Sequence, residues 1–237
     1  MNAEALAEVW TALSQSSLFC LTLTMAIYLV SIEIYKRCNY NTWASPTSLT
    51  IIFVAVFLVV ARIPYPRFFE GAQFIHFLLG PATVALAVPL FDHWKRLASM
   101  AFPLLVALVA GSATAAGSAM LIAKVFGASR EIVVSVAPKS VTTPIAMGIS
   151  EQIGGIPSLT AVFVVITGSL GAVGFPLLFK WMKSNDAAAE GFAIGVTSHG
   201  FGTARAFLVS EEMGAFSALG MGLNGILSAI ALPLILG

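Results

Sequence analysis

Charge is what this chain has least of. Charged residues make up 10% of 237 positions, 12 Lys and Arg against 11 Asp and Glu, with 3 histidines, where a soluble domain carries roughly 25%. That shortfall excludes an ordinary water-soluble globular chain. The near balance of signs, net +1, leaves no basic face for nucleic acid. Cysteine is scarce as well: Cys20 lies inside an apolar run and Cys38 beyond it, at no metal-binding spacing, so both read as bystander thiols. No GxxxxGK[ST] loop offers a seat for ATP, no Cys/His cluster has zinc spacing, and no acid stands near His199 within its apolar stretch. The expectation is a protein that is not an enzyme and holds no cofactor or metal. A basic leader is also missing. Glu4 and Glu8 precede the first apolar run and Lys36-Arg37 follow it, the pattern of a retained first span that starts outside.

What is present is apolar sequence, 58% of the chain. It falls in segments at about 14–35, 47–63, 72–91, 98–125, 131–153, 158–181, 190–210 and 213–236. At ~20 residues per crossing this is enough for about seven or eight membrane segments, and a lipid-embedded backbone must satisfy its own hydrogen bonds, so the segments read as helices. The expected class is all-α integral membrane, transporter-like, with broken helices. Breaks are marked by Asn39-Tyr40-Asn41, Pro64-Tyr65-Pro66, Gly154-Gly155-Ile156-Pro157 and Ser184-Asn185-Asp186. No linker separates a second soluble domain. A repeat is visible: Ser48 to Val54 matches Ser158 to Val164 at five of seven places, and Gly80-Pro81-Ala82-Thr83 echoes Gly200-Phe201-Gly202-Thr203. One membrane domain, 1–237, then divides into an N-terminal span (1–45), repeat 1 (46–126), a broken or re-entrant segment (127–156) and repeat 2 (157–237).

Basic clusters next to spans favour the cytoplasmic side. Lys36-Arg37 and Lys95-Arg96 fit simple alternation from an outside N-terminus. Lys180 and Lys183 join them only if 131–153 enters and leaves on one side or is otherwise broken. The repeats then run in opposite directions, and inverted repeats with interrupted helices meeting near the midplane are a signature of secondary transporters.

Ionisable groups at bilayer depth cost at least ~2.5 kcal/mol on insertion scales and usually line a path or a site. Three stand out: Lys139, His199 and Arg205. Lys139 opens Lys139-Ser140-Val141-Thr142-Thr143-Pro144, where Pro144 breaks helical hydrogen bonding and Pro138 restricts what precedes it. A half-helix starting near Ser140 aims free N–H groups at an anion. Hydroxyls of Ser140, Thr142 and Thr143 add donors. The second stretch is Ser198-His199-Gly200-Phe201-Gly202-Thr203-Ala204-Arg205. Gly200 and Gly202 permit an unwound turn, His199 can carry a proton between pH 5 and 8, and Arg205 can grip a carboxylate with two parallel hydrogen bonds. The ordinary alternatives are a snorkelling Lys139 and an Arg205 paired with Glu211 or Glu212 at the membrane edge. Gly80, Thr83 and Asn224 are secondary candidates; an intramembrane Asn more often bonds across helices than to a solute. Gly168, Gly171, Gly174 and the run from Gly220 to Gly225 read as close-packing faces, consistent with a homo-oligomer or hetero-complex.

These strings, with Leu79 to Leu90, Ile153 to Pro157 and Gly214 to Ser217, resemble the LrgB/CidB family of bacterial inner-membrane proteins. The resemblance covers most of the chain from the second span onward. It implies two activities. One is an antiholin-like partner of a small LrgA/CidA protein, affecting murein hydrolase activity and autolysis. The other, implied by members that include a plastid form, is movement of small carboxylates such as glycolate, glycerate or pyruvate. The broken, cation-bearing segments favour the second, with Lys139, Ser140, Thr142, Thr143, Ser198, His199, Gly200, Gly202, Thr203 and Arg205 as the expected anion site and His199 as the proton carrier.

Overall fold

The computed structural model describes residues 16–38, 44, 46–85 and 87–237. Glu4, Glu8 and the break at Asn39-Tyr40-Asn41 lie outside the described residues. The chain is an all-α membrane protein: among the described residues every regular element is a helix. Among the described residues four helices are long and apolar enough to cross a membrane, Ser17–Arg37, Ala101–Val125, Pro157–Met182 and Glu211–Leu236, and Pro46–Val60 is a shorter apolar helix. The chain forms two compact units, one up to Ala85 and one from Leu86 to Gly237.

The first unit contains α1 (Ser17–Arg37), α2 (Pro46–Val60) and α3 (Tyr65–Ala85). The Ser16 hydroxyl caps α1 by accepting the Phe19 N–H at 3.1 Å, satisfying one of the amides that a helix start leaves unpaired. Cys20, Leu58, Ile63 and Phe68 make its core, and the Thr50 hydroxyl donates to Ser31 at 3.2 Å between α1 and α2. The Cys20 thiol is buried and Cys38 is exposed; neither joins a group of metal ligands among the described residues.

The second unit runs α4 (Ala87–Asp92), α5 (Trp94–Ser99), α6 (Ala101–Val125), α7 (Arg130–Val136), α8 (Thr143–Gln152), α9 (Pro157–Met182), α10 (Ala187–Phe207) and α11 (Glu211–Leu236). Two of its segments reverse inside the fold. Between α7 and α8 the chain continues in tight i→i+3 turns, Lys139 N–H to the Val136 carbonyl and Val141 N–H to the Pro138 carbonyl, each 3.2 Å. It then folds back. The Thr160 hydroxyl meets both Ser135 (carbonyl oxygen, 2.9 Å) and Ser150 (Oγ, 2.7 Å), so residues on either side of the turn lie at the same level, beside the start of α9.

The stretch expected as an apolar segment at 190–210 is likewise not one straight helix. His199 has φ 41°, ψ −133°, and past it the chain returns along itself. A Cβ on Gly202 would collide with Ile194, eight residues earlier, whereas a continuous helix would separate the two by ~12 Å. Arg96 ties the base of this hairpin, bonding Asp186 before it (3.1 Å) and Glu212 after it. Such half-exposed pairs are worth about 0–1 kcal/mol each, so they locate the base more than they hold it.

α9 supplies the ruler. Thr160, near its start, contacts the first hairpin. Gly168 and Gly171 contact His199 and Ser198 of the second. The Glu190 end of that hairpin shares a cavity wall with Phe179 and Lys180, near the end of α9. The hairpins therefore enter from opposite ends and their tips approach at Val164–Gly168. A helix–hairpin order occurs twice, α6 with 130–152 and α9 with 187–207, in inverted sense. α11 then runs parallel to the ingoing limb of the second hairpin at backbone contact. A Cβ on Gly191, Gly195 or Gly220 would strike the carbonyl of Met213, Ser217 or Phe192 respectively. Gly174 and Gly222 have open space where a Cβ would go, so only part of the expected small-residue faces is used.

Two measurements check this arrangement. Single cysteines at Asn185 and Val209, in a Cys20→Ser/Cys38→Ser background, should react with an impermeant maleimide from one side of the membrane, and Ser129→Cys from the other. Labelling of 185 and 209 from opposite sides would mean that 187–207 crosses outright. Gly195→Ala should lower stability in detergent by about 1–3 kcal/mol through overpacking, while Gly148→Ala, with nothing within 4 Å, should be neutral or better.

Candidate functional site at the hairpin tips

At the first tip, Thr142 takes the N-cap position of α8 (φ −63°, ψ 148°) and its hydroxyl makes no capping bond. Pro144 falls in the first turn, where its missing N–H would have been unpaired anyway. Lys139 Nζ lies 3.3 Å from Ser140 Oγ. Ser140 is buried, and Lys139, Thr142 and Thr143 are partly exposed.

At the second tip His199 is 2% exposed and Ser198 1%. The His199 ring bonds the Val164 carbonyl through Nε2 at 3.1 Å. A carbonyl only accepts, so Nε2 carries the hydrogen and a second proton would go to Nδ1. Phe201 meets the ring edge-on, with centroids 5.7 Å apart. The Thr203 hydroxyl donates to the His199 carbonyl at 2.8 Å and pairs with Ser217 Oγ at 2.9 Å. Gly200 is partly exposed and Gly202 is buried against the ingoing limb. A non-glycine residue with this backbone costs on the order of 1–3 kcal/mol; the bonds around His199 hold it there.

The tips are joined by Asn224, midway along α11. Its Nδ2 donates to the Ser140 carbonyl (3.1 Å) and to the Val196 carbonyl (2.8 Å). Its Oδ1 accepts from Ser112 Oγ (2.6 Å) on α6 and Ser228 Oγ (3.3 Å). Every amide hydrogen is engaged within the protein, so Asn224 joins helices here. In both hairpins the outgoing half-helix, α8 and residues 200–207, begins at the tip. Two sets of N-terminal amides, with their partial positive charge, thus open at the level of Lys139.

Arg205 is placed elsewhere. It lines a cavity of about 340 Å³ between α9 and the second hairpin, with Lys180 and Glu190, and Lys139 takes no part in that wall. Glu212, one of the two acids considered as an edge partner for Arg205, bonds Arg96. Gly80 and Thr83 fall on α3 of the first unit, and their surroundings are not among those described. Ser112, the Val164 carbonyl and the cluster of Ser135, Ser150 and Thr160 were not anticipated. A lone Ser among small residues gives no signal, and a backbone carbonyl gives none at all. Gly168, three residues before Gly171, did mark the face that receives the second tip.

Fold and site define a multi-pass all-α membrane protein whose second unit carries two hairpins that fold back from opposite ends of α9. The chain belongs to the LrgB family: the LrgB-like family model matches residues 24–237. It is 36% identical over 216 residues to the uncharacterized protein YwbG of Bacillus subtilis, covering 91% of this chain and 96% of the relative. It is 34% identical over 219 residues to YxaC of the same organism, covering 92% and 95%. The holin-like protein CidB of Staphylococcus aureus is 28% identical over 223 residues, covering 93% of this chain and 96% of CidB. No solved structure matches the chain.

Replacing Asn224 tests the junction. Asn224→Leu strips the donors from two buried carbonyls at ~1–3 kcal/mol each, so a loss of about 2–5 kcal/mol in detergent unfolding is expected, against less for Ser112→Ala. An unchanged midpoint for Asn224→Leu would show that the carbonyls find other partners.

Proposed function

We propose that the chain is a secondary transporter for a small monocarboxylate of the glycolate, glycerate or pyruvate type. The observation that carries this reading is the convergence of two half-helix N-termini and Lys139 where opposed hairpins meet. A carboxylate there would accept from the free amides of α8 and of residues 200–203. Thr142, Thr143 and Ser140 would supply hydroxyl donors and Lys139 the compensating charge. Ser198, Gly202 and Thr203 shape the second tip from behind. His199 is the candidate proton carrier, because its Nδ1 is the one ring position that can gain a proton while Nε2–H stays on Val164. No step calls for an enzyme's nucleophile or a cofactor.

In this reading the protein lies in the bacterial inner membrane with its N-terminus outside and the Arg96, Lys180 and Lys183 end facing the cytoplasm. It works as a homo-oligomer or with a small LrgA/CidA-like membrane partner. Uptake of labelled pyruvate or glycolate into proteoliposomes is the deciding measurement. Lys139→Ala should reduce it at least tenfold, about 1.4 kcal/mol of lost stabilisation, while Lys124→Ala should leave it unchanged. Equal uptake by Lys139→Ala and the parent would remove the site.

A second reading has one observation in its favour, the name holin-like protein CidB carried by relatives at 28% identity. It makes the chain an antiholin-like protein modulating murein hydrolase activity and autolysis. It requires that dye leakage change on co-expression with the small partner and that Lys139 be dispensable.

A further inference from the structure

Three features follow one another along α9. Val164 packs in one cluster with Val141 and Ala146, on either side of the first tip. Gly168 and Gly171 come next and carry the second tip. A Cβ on Gly168 would meet the His199 ring, and one on Gly171 would collide with Ser198 Oγ. From Ala172 to Lys180 the helix then walls the cavity of about 340 Å³. Ile194 and Gly202 line the same cavity at its tip end, and the exposed Asn185 lies at the other, where the hairpin begins. Val164 to Ala172 is ~12 Å of helix, and the second tip occupies that interval. The cavity floor and the first tip thus face each other across the thickness of one turn of chain.

The tip is not held equally on all sides. Its two limbs are closed on each other, since Gly202 has no room for a Cβ beside Ile194 and Ser198. On the α11 side, backbone meets backbone at Gly195 and Ser217. Towards α9 the contact is made by side chains. Ser198 and His199 fill the places of two absent Cβ groups, and the His199 ring bonds the Val164 carbonyl at 3.1 Å. Side chains part by changing rotamer, whereas close-packed backbones part only when a helix moves. The yielding face is the one on α9.

We propose that this cavity is the vestibule through which a small monocarboxylate reaches the tip site from the Asn185 side, and that Ser198 seated on Gly171 is its gate. The structure holds the gate shut. The volume gives room for a three-carbon acid with accompanying water. The solute's identity rests on the transport reading; the sealed cavity does not.

The experiment follows thiol reactivity with 2-sulfonatoethyl methanethiosulfonate, a small impermeant anion, in the full-length protein in sealed vesicles. The background is Cys20→Ser/Cys38→Ser. Ala172→Cys, on the cavity floor, should react from the side that reaches Asn185→Cys. Thr142→Cys, at the first tip, should react from that side at least tenfold more slowly. Gly171→Ala pushes Ser198 off α9, and Ser198→Gly removes the stopper without overpacking. Each should speed the Thr142→Cys reaction at least tenfold. Together they trade one small group for another, so the double replacement should bring the rate back towards the parent. Modified Ala172→Cys should take up pyruvate at least tenfold more slowly than the unmodified protein. An unreactive Ala172→Cys, or one reached from the opposite side, would overturn the vestibule. So would uptake that full modification leaves unchanged. Thr142→Cys reacting as fast as Ala172→Cys, or at a rate Ser198→Gly does not alter, would overturn the gate. Accelerations that multiply in the double replacement would overturn it too, because general loosening compounds while a matched contact compensates. No pyruvate uptake by the parent, with the labelling as expected, would overturn the transport reading and leave a gated cavity standing.

Discussion

One carboxamide holds the centre of this molecule together. The Asn224 side chain uses both amide hydrogens and its carbonyl oxygen to connect the tip of the first hairpin, the ingoing limb of the second, and α6. A typical intramolecular hydrogen bond is worth about 0.5–1.5 kcal/mol net. Buried among helices, the same bonds matter more for what their absence would cost. Two carbonyls freed by irregular backbone would otherwise face apolar surroundings with nothing to accept. Irregular backbone at membrane depth is tolerated where protein surrounds it, and Asn224 is what surrounds it here. The break in each segment and the polar residue on α11 are therefore a single structural device.

The opposed hairpins follow from that device and from close packing. A chain that turns back at mid-depth must fit two half-helices where one helix would go. The glycines make room: Gly191, Gly195 and Gly220 bring α11 onto the ingoing limb at backbone contact, and Gly168 and Gly171 let α9 accept the second tip. With the limbs so placed, the outgoing half-helices both start in the interior. Their amide ends, ordinarily at a membrane surface, face each other across the tips. The electrostatics of the candidate site is thus a property of the backbone first, and Lys139 adds to a field that the fold has already set.

Much of this could be read from residues alone. Low charge and long apolar runs indicated an all-α membrane protein, and the motifs from Lys139 to Pro144 and from Ser198 to Arg205 indicated where the chain is interrupted. Proline and glycine betray a break because their backbone chemistry is local. What they do not reveal is the direction taken afterwards. At His199 a kink and a full reversal need the same residues; the difference lies in Ile194 meeting Gly202, a contact no local pattern encodes. The same limit explains Arg205, which shares a motif with His199 yet opens on another cavity, since a turn of helix past a reversal points a side chain to a face the sequence does not name. Asn224 was legible as a polar residue in a span, while its four partners come from three other stretches of chain and one turn of its own helix.

Arg96 marks where the second hairpin begins and ends, through Asp186 and Glu212. Its far extremity is bonded to Asn224, Val164 and Ser217. Between the two, the ingoing limb lies on α11 at backbone contact through Gly191, Gly195 and Gly220. With no side-chain layer to deform between them, limb and α11 behave as one stiff ply, so any excursion of the extremity must drag α11 along or shear the seam.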